Sequence, residues 1–127
     1  MTAADNERVK RAIDKAEAGT TGKVVVRIVP EAEADALARA KAEFAEAGLH
    51  GHEHRNVALI LVAPQARSFA IVGDRALHER VGDAFWQDLI AKARPYFARG
   101  EIARGIIFAT ERLGETLRAH FPRTSPG

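Results

Sequence analysis

The sequence of 127 residues has no cysteine, one tryptophan and one tyrosine. Without cysteine the chain can form neither a disulfide framework nor a thiolate metal site, and it has no thiol nucleophile. Its longest apolar run, over residues 57–64, is far shorter than the roughly 20 residues that cross a bilayer. We therefore expect a soluble globular domain that does not insert into a membrane.

The sequence also has little excess charge, because 19 Lys and Arg residues stand against 17 Asp and Glu residues. From residue 92 onward basic residues predominate, but they are spaced along predicted helices and alternate with glutamates. A nucleic-acid footprint usually needs basic residues gathered on one face, often with stacking aromatics. The pattern favours a solvated helical face over a nucleic-acid surface.

The length fits a single hydrophobic core. We predict one domain over residues 1–121 and a disordered tail over 122–127, which has nothing to bury. The N-terminus shows no basic start followed by an apolar stretch, so we expect no secretory signal and a cytoplasmic location.

The first half of the chain predicts a helix, a strand and a second helix. A helix over 5–18 is followed by a β-branched run over 23–29, which Pro30 stops. Residues 31–47 are rich in Ala and Glu and predict an amphipathic helix that covers a sheet. Its apolar face comprises Leu37, Ala40 and Phe44.

The second half predicts two strands and then helices. Residues 57–63 are apolar without alternation, which indicates a central strand buried on both faces. A short turn leads to a strand over 67–72, so the pair is predicted to be antiparallel. A short helical stretch over 75–81 precedes a longer helix from residue 83, which Pro95 is expected to end or kink near Arg94. The core residues of the longer helix and of the last one are Phe85, Trp86, Leu89, Ile90, Ile102, Ile106, Leu113 and Leu117.

These elements predict the α/β class. The expected architecture is a three-layer α/β/α sandwich, with a small mixed sheet of three to four strands and helices on both faces. Ligands of such sheets favour the crevice beyond the carboxyl ends of the strands. That geometry points to Gly73-Asp74 and to Pro30-Glu31.

Several short motifs are spread along this pattern. Arg55-Asn56 opens the central apolar strand, Gly73-Asp74 closes the next one, and residues 78–86 contain His-Glu followed by Gly-Asp-Ala-Phe-Trp. Weaker pieces are Glu-x-x-Thr-x-Gly at 17–22 and Phe-x-x-Gly-Glu-x-x-x-Gly at 97–105. Together they resemble the TPM-domain family, in particular its short stand-alone bacterial members.

The resemblance implies an α/β/α sandwich but no single activity. Members of that family include a thylakoid protein reported as an acid phosphatase, and bacterial domains reported to bind divalent metal in an acidic area. We therefore expect a stand-alone TPM-like domain that binds a divalent cation or a partner. Two alternatives are a metal-assisted acid phosphatase of low activity and a protein-interaction domain without metal. Whether the protein is an enzyme stays open.

Carboxylates near the predicted strand ends are the candidate metal ligands. Asp74 and Asp83 form the best pair for Ca²⁺ or Mg²⁺, and Glu101 and Glu17 could add a third and a fourth oxygen. Both aspartates follow a glycine and precede a helical segment, so helix N-capping explains them equally well. Lys23 stands where the family often has an acidic residue, and its charge would oppose a cation.

The other candidate site residues are cationic or polar. Arg55 could hold a phosphate or a carboxylate with two hydrogen bonds, or it could pair with a nearby carboxylate while Asn56 shapes the loop before the strand. His78 could act as a general acid or only pack its ring. The predicted ligand- or phosphate-binding set is Arg55, Asn56, Gly73 and His78.

Two further patterns bear on cofactors. In an extended loop His50, His52 and His54 would point to one side and could bind zinc or nickel, although a solvated loop is the simpler interpretation. The stretch 19–23 hints at a phosphate loop, but glutamate occupies position 17, valine follows Lys23, and the strand comes afterwards. No nucleotide cofactor is predicted.

Overall fold

The computed structural model describes residues 1–30 and 35–123, and this part of the chain forms a three-stranded sheet between two layers of helices. The helices are α1 (Ala3–Glu17), α2 (Ala36–Glu46), α3 (Arg75–Ala98) and α4 (Ile102–His120). The strands are β1 (Lys23–Ile28), β2 (Val57–Ala63) and β3 (Ser68–Gly73), and single turns of 3₁₀ helix cover 49–51 and 64–66.

The sheet is mixed and has the order β1-β2-β3. β1 pairs parallel to β2 with Lys23 opposite Val57, and β3 pairs antiparallel to β2 with Gly73 opposite Ala58. All seven residues of β2 are buried. The predicted central strand and the antiparallel hairpin are therefore confirmed.

The two faces of β2 contact different helices, as the alternation of side chains along a strand requires. Ala58, Ile60 and Val62 belong to the core cluster that also contains buried residues of α1, α3 and α4. Residues 57, 59, 61 and 63 belong to a second cluster with buried residues of α2. This arrangement is the α/β/α sandwich that the sequence predicts.

α1 and α4 pack side by side and run in the same direction. Arg118, near the end of α4, donates from Nη1 to the carbonyls of Lys15 and Ala16 at the end of α1, at 3.2 Å each. A guanidinium at this place satisfies carbonyls that have no partner within the helix. The ends of the two helices are thereby joined.

α2 differs from its prediction in its start and in its buried face. It begins at Ala36, because Asp35 caps it by accepting from the N–H of Ala38, and residues 31–34 lie outside the described residues. Ala36, Ala40 and Phe44 are buried, whereas Leu37 is 48% exposed. The assignment of Leu37 to the core face was therefore wrong.

Two interruptions were predicted in the region of α3, one at Gly82 and one at Pro95, and α3 is interrupted only at the first of them in the described residues. Gly82 has non-helical angles, with φ 76° and ψ 171°, which separates the two predicted helical segments. The helix then continues through Pro95 to Ala98, so Pro95 does not end it near Arg94. Proline removes one backbone hydrogen bond, but Ala93 and Phe97 on either side of it are buried in the core. Their packing holds the last turn.

The chain after α4 returns to the end of α1. Pro122 forms an isolated bridge with Thr20, and the N–H of Arg123 donates to the carbonyl of Gly19 at 2.9 Å. The chain is thus bonded to the segment after α1 as far as Arg123, and residues 124–127 of the predicted tail lie outside the described residues. None of the helices within the described ranges combines the length and the apolar character that crossing a membrane requires.

Candidate functional site

A cleft of about 430 Å³ lies between α2 and α3 beside β3. We call it the α2–α3 cleft. Its apolar surface comes from Leu37 and Phe44 of α2, Ile71 and Val72 of β3, and Trp86 and Ile90 of α3. Its polar groups are Lys41, His50, His78 and Asp83. A concave apolar surface with a few polar groups is the usual form of a binding site.

Asp74 anchors the end of β3 next to this cleft. The carboxylate accepts from Arg55 twice, from Nε at 2.8 Å and from Nη2 at 3.0 Å, and from the N–H of Arg75 at 2.8 Å. Arg55 reaches it from a left-handed backbone with φ 51°. The Arg-Asn and Gly-Asp motifs thus form one ion pair that joins the start of β2 to the start of α3.

The Asp74 carboxylate is 2% exposed and is ionised. Burial by itself raises its pKa, but the hydrogen bonds from Arg55, from the N–H of Arg75 and from His50 outweigh burial and hold the pKa below its ordinary value of 3.8. Asp74 is therefore both a helix cap and the buried partner of a cation.

The lowered pKa of Asp74 predicts an acid-sensitive fold. The folded carboxyl binds its proton less readily than the unfolded one, so its stabilisation is complete above the unfolded pKa and is lost as pH falls through the folded pKa. Between about pH 5 and pH 2 we expect the urea midpoint of the natural protein to fall further than that of Asp74→Asn. Circular dichroism during urea titration measures both midpoints. If the urea midpoints of the two proteins fell equally between these pH values, the lowered pKa of Asp74 would be contradicted.

His50 is oriented by Asp74. Its Nδ1 lies 3.0 Å from Oδ1 of Asp74, and its ring lies 4.6 Å from that of Phe44 between centroids. An ionised carboxylate only accepts hydrogen bonds, so this shorter contact favours a proton on Nδ1, whereas Nη2 of Arg55, a donor, lies 3.4 Å from the same nitrogen. In the neutral ring Nε2 is then an acceptor.

His78 has the opposite tautomer. Trp86 donates from Nε1 to Nδ1 of His78 at 3.0 Å, and an indole can only donate. The proton of a neutral His78 is therefore on Nε2, which lies 3.4 Å from Oδ1 of Asp83. The α2–α3 cleft is thus lined by two imidazoles whose Nδ1 atoms are held by different partners, Asp74 for His50 and Trp86 for His78.

Gly73 allows Trp86 to form the wall of the cleft. A Cβ on Gly73 would lie 2.5 Å from Cζ2 of the indole and 2.6 Å from Cη2, closer than van der Waals contact allows. Trp86 was predicted to be a core residue, whereas it is half-buried and lines the cleft. A glycine closing one strand and a tryptophan on the next helix is the signal that could have indicated this contact.

The four predicted metal ligands do not converge. Asp83 is 84% exposed and Asp74 is occupied by Arg55. Glu17 accepts from the N–H of Val24 at 2.9 Å, and Glu101 pairs with Arg99 and Arg104. In residues 1–30 and 35–123 no three His, Asp or Glu side chains are grouped so that they could hold a metal ion.

The charges around these carboxylates also do not fit a divalent cation. The guanidinium of Arg55 already occupies both oxygens of Asp74, and Lys23 Nζ lies 4.0 Å from Glu17 Oε1. A hard cation needs several free oxygens. We therefore derive no metal-dependent step.

The remaining predicted site residues have structural partners. Asn56 donates from Nδ2 to Thr21 Oγ1 at 3.0 Å and is fully buried. The three loop histidines do not converge, because the 3₁₀ turn over 49–51 directs His50 to Asp74, whereas the rings of His52 and His54 lie beside each other with centroids 6.2 Å apart. Gly73-Asp74 and Pro30 lie at opposite ends of the sheet because β3 is antiparallel to β1, and Glu31 lies outside the described residues.

The weaker sequence motifs hold backbone segments together. Thr20 donates from Oγ1 to the carbonyl of Phe121 at 2.6 Å and accepts from the N–H of Gly22 at 3.1 Å. A Cβ on Gly22 would lie 2.5 Å from the Cδ2 atom of Leu117, and one on Gly105 would lie 2.8 Å from Cζ of Phe97. These positions serve the fold rather than a reaction.

Comparison with known proteins agrees with this architecture. A family model described as the TPM domain matches residues 1–116. The chain is similar to the BA42 protein from the psychrophilic bacterium Bizionia argentinensis, whose NMR structure it matches with a TM-score of 0.87 and 29% identity over 96% of this chain and 84% of that one.

Two more distant NMR structures share the fold alone. The N-terminal domain of the cg2496 protein from Corynebacterium glutamicum has a TM-score of 0.75 and 17% identity over 100% of this chain and 80% of that one. The N-terminal domain of a protein from P. gingivalis has a TM-score of 0.78 and 15% identity over 98% of this chain and 83% of that one. No curated protein matches the sequence.

Proposed function

We propose that this chain, which belongs to the TPM-domain family, is a partner-binding module and that the α2–α3 cleft is its binding site. The observation that carries the proposal is the combination, in one cleft, of an apolar surface with two oriented histidines, His50 held by Asp74 and His78 held by Trp86. Apolar walls supply affinity, and a few oriented polar groups supply specificity.

The exposure of Leu37 supports this location. It is one of three large hydrophobic residues with high exposure in the described residues, the others being Met1 and Ile28, and it lines the α2–α3 cleft. An exposed apolar side chain at the rim of an apolar hollow is the kind of surface that a partner covers.

A metal-assisted phosphatase is less well supported. Arg55, the predicted phosphate ligand, already donates two hydrogen bonds to Asp74, and the predicted metal ligands lack free, convergent oxygens. Cation binding stays a prediction of the family resemblance. It would be supported by a melting temperature that rises with Ca²⁺ or Mg²⁺ in the natural protein and not in the Asp74→Ala/Asp83→Ala variant.

Binding in the α2–α3 cleft can be measured directly, because Trp86 is the single tryptophan of the chain and lines it. The probe is anilinonaphthalene sulfonate, whose fluorescence can be excited through Trp86 by energy transfer. We expect Leu37→Glu to weaken probe binding about tenfold, because it places a charge at the apolar rim.

The matched control is Ile28→Glu. Ile28 is 42% exposed, close to the 48% of Leu37, but it lies on β1 away from the cleft. This variant should bind the probe as the natural protein does. Equal losses in the two variants, or the absence of energy transfer from Trp86, would overturn the cleft as the binding site.

A further inference from the structure

We propose that the partner is an extended peptide segment that adds to the outer edge of β3 as a further strand within the α2–α3 cleft. The inference rests on the proposed function, since it takes the cleft to be the binding site, and it specifies the class of partner. Addition of a strand to a free sheet edge is an established way of recognising peptides.

The α2–α3 cleft faces the edge of the sheet rather than one of its faces. Three consecutive residues of β3, Ile71, Val72 and Gly73, line it. Successive side chains of a strand point to opposite faces, so a hollow on one face would contact alternate residues only. The helices on its two sides also belong to opposite layers, because α2 packs on one face of β2 and α3 on the other.

The backbone of β3 has hydrogen-bonding groups on this outer side. The N–H of Asp74 donates to the carbonyl of Val57 at 2.8 Å, which makes these two residues a hydrogen-bonded pair. Hydrogen-bonded pairs alternate with non-hydrogen-bonded pairs along an antiparallel ladder. The backbone N–H and C=O groups of Val72 and Ala70 therefore point toward β2. The N–H and C=O groups of Ile71 and Gly73 therefore point outward. In the described part of the chain β3 pairs with β2 alone.

The walls of the cleft suit alternating side chains. A strand beside β3 would direct one set of side chains toward Leu37 and Phe44 of α2 and the other toward Trp86 and Ile90 of α3. Lys41 lines the same cleft and forms no ion pair with a carboxylate of the described residues. An acidic residue in the peptide would complement that charge.

This edge accommodates a peptide better than the other occupants. A purely apolar molecule would cover the outward N–H and C=O groups of β3 without satisfying them, which is costly. A second copy of the chain has α2 and α3 on the two sides of its own β3. If the β3 edges of two copies were paired, these helices would clash with α2 and α3 of the first copy. A single extended chain has neither difficulty.

The test uses the peptide acetyl-Glu-Val-Thr-Val-Thr-Val-amide and two versions of it, each N-methylated on one of the two alternating sets of amides. Only one set can face β3, so we expect one version to bind about tenfold more weakly and the other to bind as the parent does. Equal binding by the two versions, or equal loss, would overturn strand addition.

Amide hydrogen exchange locates the contact. In the free protein Ala70 and Val72 should exchange more slowly than Ile71, which is 4% exposed, and Gly73, because the last two lack a strand partner on their outer side among the described residues, and the peptide should slow exchange at the last two. Slow exchange of Ile71 and Gly73 without peptide, together with a dimer in light scattering, would identify a second copy on this edge and overturn the proposal.

Charge reversal tests the orientation of the peptide. The natural protein should bind the peptide that begins with glutamate more tightly than one that begins with lysine. The Lys41→Glu variant should bind the lysine peptide more tightly instead. No change in preference would overturn the contact with Lys41.

If anilinonaphthalene sulfonate binds but the parent peptide does not, strand addition is wrong and the cleft remains the proposed site. If neither binds, the proposed function also fails.

Discussion

Replacing Asp74 with alanine is expected to lower the free energy of unfolding by about 3 kcal/mol. The change removes a helix N-cap, which alone is worth about 1 kcal/mol, and it also removes the buried acceptor of Arg55 and His50. Hydrogen bonds to charged groups contribute more than neutral ones, so the loss exceeds that of a cap. Urea denaturation followed by circular dichroism gives the value.

Asp83→Ala is the matched control for this prediction. Asp83 also follows a glycine near the start of a helical segment, but its side chain is 84% exposed, and its one ion pair among the described residues is with the exposed ring of His78 at 3.4 Å. Its loss should change stability by less than about 0.5 kcal/mol. If Asp74→Ala cost only about 1 kcal/mol, Asp74 would be a simple cap and the ion pair with Arg55 would contribute little.

Gly114→Ala is expected to destabilise the protein by about 3 kcal/mol, although alanine normally favours a helix over glycine by about 1 kcal/mol. The added Cβ would lie 2.7 Å from the Cβ of Ala16 and 2.8 Å from its Cα. The Cα of Ala16 belongs to the backbone of α1, so a change of side-chain rotamer cannot relieve the contact. The two helices must move apart and lose packing along their length. Thermal and urea unfolding measure the loss.

Gly51→Ala is the control for the glycine substitution itself. No atom lies within 4 Å of a Cβ at Gly51, and the backbone there is not left-handed. Stability should stay within about 0.5 kcal/mol of the natural protein or rise slightly, because alanine restricts the unfolded chain. A Gly114→Ala protein as stable as the Gly51→Ala protein would show that α1 and α4 do not depend on this close approach.

The family motifs are explained mainly by the fold. Arg55 pairs with Asp74, Gly73 makes room for Trp86, and Thr20 joins the ends of α1 and α4. A pattern of residues that serves packing identifies a family without identifying an activity. This is why the resemblance predicted the fold well and left the function open.

Some of the predicted site residues lie at the proposed cleft and others do not. Gly73 and His78 line the α2–α3 cleft, as does Asp83 of the predicted metal set, whereas Arg55 and Asn56 bind other parts of the protein. Asp74 and Asp83 were predicted as a pair because loops at strand ends can bring carboxylates together around a cation. The two residues differ in burial, because Asp74 is buried against Arg55 and Asp83 faces solvent. Burial depends on distant contacts that spacing does not reveal.

The sequence by itself determined the order of the helices and strands and the layers they form. The unbroken apolar run of β2 required burial on both faces, and the short turn before β3 required an antiparallel pair, because these features depend on local patterns and chain length. Only the tertiary structure decided that the helix passes through Pro95, that Leu37 is exposed, and that the edge of β3 lies in a cleft between α2 and α3. Each of these depends on packing between segments far apart in the chain, and that packing outweighs local preference.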